Sequence, residues 1–195
     1  MNYTLIGSLT SPYVRKIRLI LHGSPYELKM VNYMEEAGNE YLKSINPINK
    51  LPVLIDGDKT ILDSRIIYNY LSEKNNWPKL SIEEENILSS IDGAMDSSIS
   101  LFMLRRGGLD LDCSNAYIER QKARVPHILN YLNSWVKNLD EKNPADWNFL
   151  SMSLYSYLYW VEFREMYNLE NHPDLKLFLE KFKHAPGVLE TTIPV

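Results

Sequence analysis

The sequence predicts two structural halves: a mixed α/β unit in the order βαβαββα over residues 1–75, with a four-stranded sheet, and an all-α helical bundle over residues 82–195. Three observations carry this. Short strand-like runs alternate with helical periods up to about residue 75. After KNNWPKLS that rhythm stops, and from there apolar residues recur at helical spacing over long stretches. With 195 residues, 45% of them apolar, the chain can bury a sizeable core.

The elements follow in order. YTLIG, residues 3–7, is strand-like, and SLTSP turns the chain into a helix where Val14, Ile17 and Leu21 share a face and Gly23 offers a left-handed C-cap. Tyr26 to Val31 reads as a second strand, and EAGNEYLKSINP as a short helix ended by Pro47. PVLID and KTILD, separated by Gly57 and Asp58, form an antiparallel hairpin. From Ser64, the spacing of Ile66, Ile67, Tyr70 and Leu71 predicts a helix that covers the hairpin.

In the second half, Ile87 to Phe102 mark one long helix and Val125 to Leu139 another, with Pro126 expected to kink or end it, since an interior proline costs about 3 kcal/mol. Residues 149–168 are apolar or aromatic nearly all round, the pattern of a helix central to a bundle. They fall short of a membrane span and are interrupted by Glu162 and Arg164. A last helix starts at Pro173 and buries Leu175, Phe178, Leu179 and Phe182.

Composition narrows the function classes. A formal charge of −4 without a basic block gives no footprint for nucleic acid. The N-terminus lacks a secretory pattern, no membrane partner is expected, and a cytoplasmic location is. The single cysteine, Cys113, excludes an internal disulfide framework, and four scattered histidines give no metal spacing. The acidic run Glu83 to Glu85 and the pair Arg105, Arg106 suit the two ends of one helix dipole.

Three places offer chemistry. Pro52 is either an ordinary trans proline opening a strand, or a cis proline that turns the amide and carbonyl of Leu51 outward as a docking edge for an extended peptide. Asp63 and Ser64 open a helix; one of them serves as N-cap, or the pair receives a zwitterion, a carboxylate on Ser64 and an ammonium on Asp63. Ser11 before Pro12 is an N-cap by position, yet a hydroxyl there also suits a ligand thiolate.

Taken together, the first strand, the SPYVRK helix, NPINKLPVL, the hairpin and DS, followed by an all-helical half, resemble the cytosolic glutathione transferases, bacterial type, with serine at the thiol-contacting position. The resemblance covers the whole chain, and its specific part is NPINKLPVL to DS. It implies a thioredoxin-like first domain and a cis bond at Pro52. It implies that Leu51 bonds the cysteinyl unit of glutathione through its main chain, that Ser64 holds the γ-glutamyl carboxylate, Asp63 the ammonium, and that Lys50 approaches the glycine carboxylate. Ser11 would contact the sulfur, with Thr10 and Tyr13 as auxiliary donors.

The activity implied is conjugation of glutathione thiolate, the co-substrate, to an apolar electrophile in detoxification, without a metal and in a homodimer. A second-substrate site is expected between the 8–13 loop and the fourth helix around Phe102, Met103 and Arg106. The alternative is a non-catalytic binding protein of the stringent-starvation type, which associates with RNA polymerase. Two positions depart from the family pattern: Asn49 stands where glycine is frequent before the lysine, and Leu154 stands where an aspartate frequently follows Ser151, which predicts a weakened cap on the buried helix.

Overall fold

The computed structural model describes residues 3–194. Two compact units are present: residues 1–79 with 184–195, and residues 80–183.

The first unit has the thioredoxin-like arrangement. Strand β1 (Tyr3–Gly7) leads to helix α1 (Pro12–Ile20), β2 (Tyr26–Met30), α2 (Glu36–Ile45), the hairpin β3 (Val53–Asp56) and β4 (Lys59–Leu62), and α3 (Ser64–Lys74). The sheet order is β2-β1-β3-β4, with β1 parallel to β2 and antiparallel to β3, and β4 antiparallel to β3. Alternation along the strands divides the core. Ile6 and Val53 pack with Leu42 of α2 on one face. Leu5, Leu54 and Ile61 pair across the sheet and point the other way, where α1 and α3 bring buried Val14, Ile17, Ile67 and Leu71. Each such side chain contributes roughly 1.5–3 kcal/mol by leaving water.

Two glycines are required by geometry. Gly57 carries the hairpin turn at φ 62°. A Cβ on Gly38 would lie 2.0 Å from the Asn32 carbonyl oxygen, so α2 reaches its position only with glycine there. Helix α1 begins at Pro12 and ends at Ile20; Gly23 does adopt a positive φ of 80°, but two residues beyond the Leu21 cap.

The segment after residue 183 differs from expectation. It belongs to the first unit rather than to the helical half, because α1 presents two buried arginines to its carbonyls. Arg15 donates from Nη2 to Val188 O at 3.3 Å and from Nε to Thr191 Oγ1 at 3.3 Å, and Arg18 donates to Glu190 O at 2.8 Å. Nothing in the local pattern of HAPGVLETTIPV announces that attachment.

The second unit contains α4 (Ile82–Arg106), α5 (Ala116–Trp135), α6 (Phe149–Phe163) and α7 (Pro173–Phe182). By length and composition α4 is apolar enough to cross a membrane. Within this unit it packs against α5 and α6, with Ile87, Leu88, Ile91 and Met95 buried. Such burial is the ordinary state of a bundle helix. Ser81 and Glu84 close a capping box at its start. Helix α6 is buried nearly all round, and Tyr157 meets Ser98 of α4 through a buried hydroxyl contact of 2.9 Å.

Of the two places expected for Pro126, inside its helix or at a break, it takes the first: α5 runs through it from Ala116 to Trp135. Two expectations are corrected here. Helix α6 stops at Phe163 rather than 168, since Glu165 takes a positive φ of 51°. The cap of α6 is not weakened. Asn148 is the N-cap and Ser151 the third residue inside, bonded reciprocally: Asn148 Oδ1 accepts from Ser151 N at 3.4 Å, and Ser151 Oγ accepts from Asn148 N at 2.9 Å.

Candidate functional site

The sheet's polarity brings the residues of interest to one edge. β1 and β4 run the same way and β3 runs against them, so the carboxyl ends of β1 and β4 flank the amino end of β3. Ile6 is paired with Val53 and Val53 with Leu62. One step further along that register, Pro52 lies between Gly7 and Asp63. Helices α1 and α3 start directly beyond β1 and β4, so both positive dipole ends face this edge.

The Leu51–Pro52 bond is cis. Leu51 lies outside the paired residues of β3, whose ladder to β1 ends at Val53, and it is only half-buried. Its approach is fixed by a residue that sequence reasoning missed. Asn46, buried at 1% exposure, donates from Nδ2 to Lys50 O at 2.7 Å and accepts at Oδ1 from Ile48 N at 3.0 Å, while its own carbonyl accepts from Asn49 N at 2.9 Å. One amide side chain therefore ties a whole turn. Asn49 takes φ 50°, which asparagine tolerates at little cost, so it does what a glycine would do there. The Asn-Pro dipeptide was the available sequence signal. Lys50 itself is exposed.

Asp63 is the N-cap of α3: its Oδ1 accepts from Arg65 N at 2.8 Å. Its backbone has φ 68° and ψ 139°, a region that a non-glycine residue occupies at a cost of about 1–3 kcal/mol. The carboxylate is exposed, whereas Ser64 is 3% exposed at the first residue of the helix. A carboxylate with a second oxygen to offer thus stands next to a hydroxyl at a helix start.

Ser11 is the N-cap of α1, with Oγ accepting from Val14 N at 3.3 Å. That bond uses the oxygen as acceptor and leaves the O–H proton to be donated. Two more hydroxyls share the segment: Ser8 Oγ and Thr10 Oγ1 lie 3.2 Å apart, and Ser8 was not singled out in the sequence. Gly7 lets the chain pass close to α1, since a Cβ there would meet Val14 at 2.5 Å. The Tyr13 ring lies 5.3 Å from the Lys16 ammonium.

Phe102, Met103 and Arg106 occupy the last turns of α4 in the second unit. Phe102 meets Trp160 edge-on at 5.5 Å and carries the Arg164 guanidinium over its face at 5.1 Å; Met103 is 38% exposed. Among the described residues, no cluster of histidine, cysteine and acidic side chains is arranged to hold a metal ion.

At the far end of the same sheet, Asp56 accepts from Tyr70 Oη at 2.6 Å and pairs with Lys74, tying β3 to α3. The Lys74 hydrogen bond, with help from Tyr70, holds the Asp56 carboxyl below its ordinary value.

Comparison with known proteins bears on the first unit and on the fold. Residues 5–79 match the family model described as glutathione S-transferase, N-terminal domain. A GST-like protein of Escherichia coli, YibF, is 29% identical over 103 residues, 49% of this chain and 51% of its own length. A stringent starvation protein A homolog of Pasteurella multocida is 35% identical over 79 residues, 40% of this chain and 36% of its own. The aligned parts thus span about half or less of these relatives' lengths. A solved glutathione S-transferase of Methylobacterium radiotolerans, in complex with glutathione sulfonate, superposes with a TM-score of 0.84 at 22% identity, covering 100% of this chain and 95% of that one. Its fold is the fold of this chain.

Proposed function

We propose that the chain is a glutathione transferase: the first unit binds glutathione and its thiolate attacks an electrophilic, largely apolar small molecule. The observation that carries this is the convergence, at one sheet edge, of an unpaired Leu51 main chain before a cis proline with the starts of α1 and α3. An extended tripeptide completes such a ladder. Leu51 exchanges main-chain bonds with the cysteinyl unit, the γ-glutamyl carboxylate sits on Ser64 and the α3 amides, the ammonium meets the exposed oxygen of Asp63, and Lys50 approaches the glycine carboxylate.

Ser11 donates its hydroxyl proton to the thiolate while its oxygen keeps capping α1, so one atom serves both the fold and the chemistry. Thr10 and Tyr13 are auxiliary donors. The sulfur forms a bond to the electrophilic carbon, the leaving group departs with its electron pair, and the thiol proton has already gone to solvent on ionisation. Phe102, Met103 and Arg106 are assigned to the second substrate. The protein acts as a homodimer in the cytoplasm.

The likeness to stringent starvation protein A homologs favours a second reading, a glutathione-site protein without turnover. Calorimetry with reduced glutathione followed by an aryl halide assay separates the two. Binding with turnover, and a loss of about 10- to 100-fold in Ser11→Ala, supports the enzyme, because a hydrogen bond to a charged group is worth about 1.5–3 kcal/mol. Binding without turnover supports the second reading. No heat from the wild type, or unchanged affinity in Asp63→Asn and Ser64→Ala, overturns both.

A further inference from the structure

The sheet of the first unit has two borders, β2 and β4. A border strand presents a row of unpaired main-chain groups, a template for another strand. On β2 the direction of those groups follows residue by residue. Tyr3 N donates to Pro25 O at 3.4 Å, and Val31 N donates to Gly7 O at 2.9 Å. Between these two bonds, strand alternation turns the main chain of Glu27 and Lys29 toward β1. The N–H and C=O groups of Tyr26, Leu28 and Met30 are left on the open side. Among the described residues nothing bonds them there.

Side chains alternate as well. Tyr26, Leu28 and Met30 share a face with Tyr3 and Leu5, and Met30 is 52% exposed. Glu27 and Lys29 point to the opposite face, where α2 lies, and both are exposed. Lys29 Nζ is already held in place, donating to Tyr41 Oη at 3.0 Å and lying 4.1 Å from the centre of that ring. An ammonium has three donors, so two remain. Glu27 makes no ion pair among the described residues.

These patterns make the strand its own complement. In an antiparallel pair of two copies centred on Leu28, that residue meets its equivalent, and Tyr26 meets the second copy's Met30. Both are hydrogen-bonded pairs, because these main chains point outward. The Tyr26 ring takes the otherwise exposed thioether. Glu27 then stands opposite the second copy's Lys29, and symmetry repeats the contact, at the closer spacing of a non-hydrogen-bonded pair, where opposite charges attract. The other border strand, β4, carries Lys59 and no acidic residue at a matching position within KTIL, so it offers no such match.

We infer that two copies of this chain associate through their β2 edges, antiparallel and two-fold symmetric about Leu28, so that one sheet continues into the next. The contact is isologous and draws on no part of the glutathione reading.

The test is residue-resolved amide exchange of the full chain at about 50 µM and about 1 mM, the range in which so small a contact forms. The expected result is protection at Tyr26, Leu28 and Met30 that grows with concentration. Glu27 and Lys29, whose amides are bonded to β1 in either state, stay constant and report that the fold is intact. Lys29→Glu and Glu27→Lys each set like charges opposite one another, so each variant alone loses that growth, its association weakened about tenfold or more. An equimolar mixture of the two recovers it, because every facing pair is again of opposite charge. Protection independent of concentration, wild-type association that leaves the three amides unprotected, single variants that associate like the wild type, or a mixture no better than its components overturns the inference. If an extended Thr-Val repeat peptide protects these amides and the chain alone does not, the edge takes a foreign strand and self-pairing is overturned as well.

Discussion

Helices α3 and α6 open on N-caps of the same chemical kind, a short side-chain oxygen accepting main-chain N–H groups, yet the two are left in different states. At α6, Asn148 sits in extended backbone, φ −116° and ψ −175°, and its bonds with Ser151 close on each other. At α3, Asp63 is held at φ 68° and answers only the Arg65 amide with Oδ1, while the carboxylate stays exposed beside Ser64. Where a cap only supports the fold, the chain adopts relaxed geometry and satisfies every partner internally. Where the same device borders the candidate site, strain is tolerated and polar capacity is kept for something else. The turn at Asn46 belongs with the second case, since it holds a main chain in place without pairing it.

Three substitutions sharpen or break that contrast. Asn46→Ala has the largest effect, because it strips partners from Lys50 O and Ile48 N at once; about 1–3 kcal/mol of stability is lost, read from the urea midpoint at constant slope. Glutathione retention falls with it, since the turn presents Leu51. If retention survives the loss of stability, the turn supports the fold alone. Asn148→Ala costs about 1 kcal/mol and leaves glutathione retention as it was; weaker retention would place α6's cap in the functional class. Asp63→Gly has the smallest effect on stability, with a net change within about 0.5 kcal/mol. Relief of the positive φ offsets the loss of a cap worth a few tenths and the added chain entropy. Affinity for glutathione drops nonetheless. A destabilisation well above that range shows that the backbone at Asp63 is not strained and removes the distinction between the caps.

Much of this was legible in the residues, for physical reasons that differ by place. The hairpin was readable because Gly57 and Asp58 separate two apolar runs, and the Asp63–Ser64 pair because helix starts have a narrow vocabulary. The order of strands and helices followed from a change of period. Asn46 escaped notice because its work is done by two side-chain bonds across a turn, which no periodicity records. The cap of α6 was assigned three residues late because Ser151 matches a cap by type, whereas only the backbone reveals that Asn148 stands outside the helix. Residues 184–194 lack any repeating pattern, and their place in the first unit depends on Arg15 and Arg18, far away in sequence.

The two units also part company in their response to pH. His172, at the start of α7, is 2% exposed, and neither ring nitrogen has a partner of hydrogen-bond geometry. Burial holds its pKa below the ordinary 6.5, and the nearby Pro126 carbonyl opposes that to a lesser extent. A histidine whose folded pKa is depressed binds its proton more readily in the unfolded chain. Stability is therefore full above about pH 6.5 and falls as pH drops below it, by at most about 1.4 kcal/mol per pH unit. Asp56 in the first unit also loses its contribution on acidification, but in a lower window: its carboxyl is held low by Lys74, so the contribution persists until pH falls below its unfolded value of 3.8. Between pH 7 and 5, amide protection factors, corrected for the intrinsic exchange rate at each pH, should fall in α5 and α7 while β3 and β4 keep theirs. His172→Phe, which retains the Tyr167 ring contact of 5.6 Å, should abolish that difference. Equal loss of protection in both units, or persistence of the difference in the variant, would remove His172 as its cause.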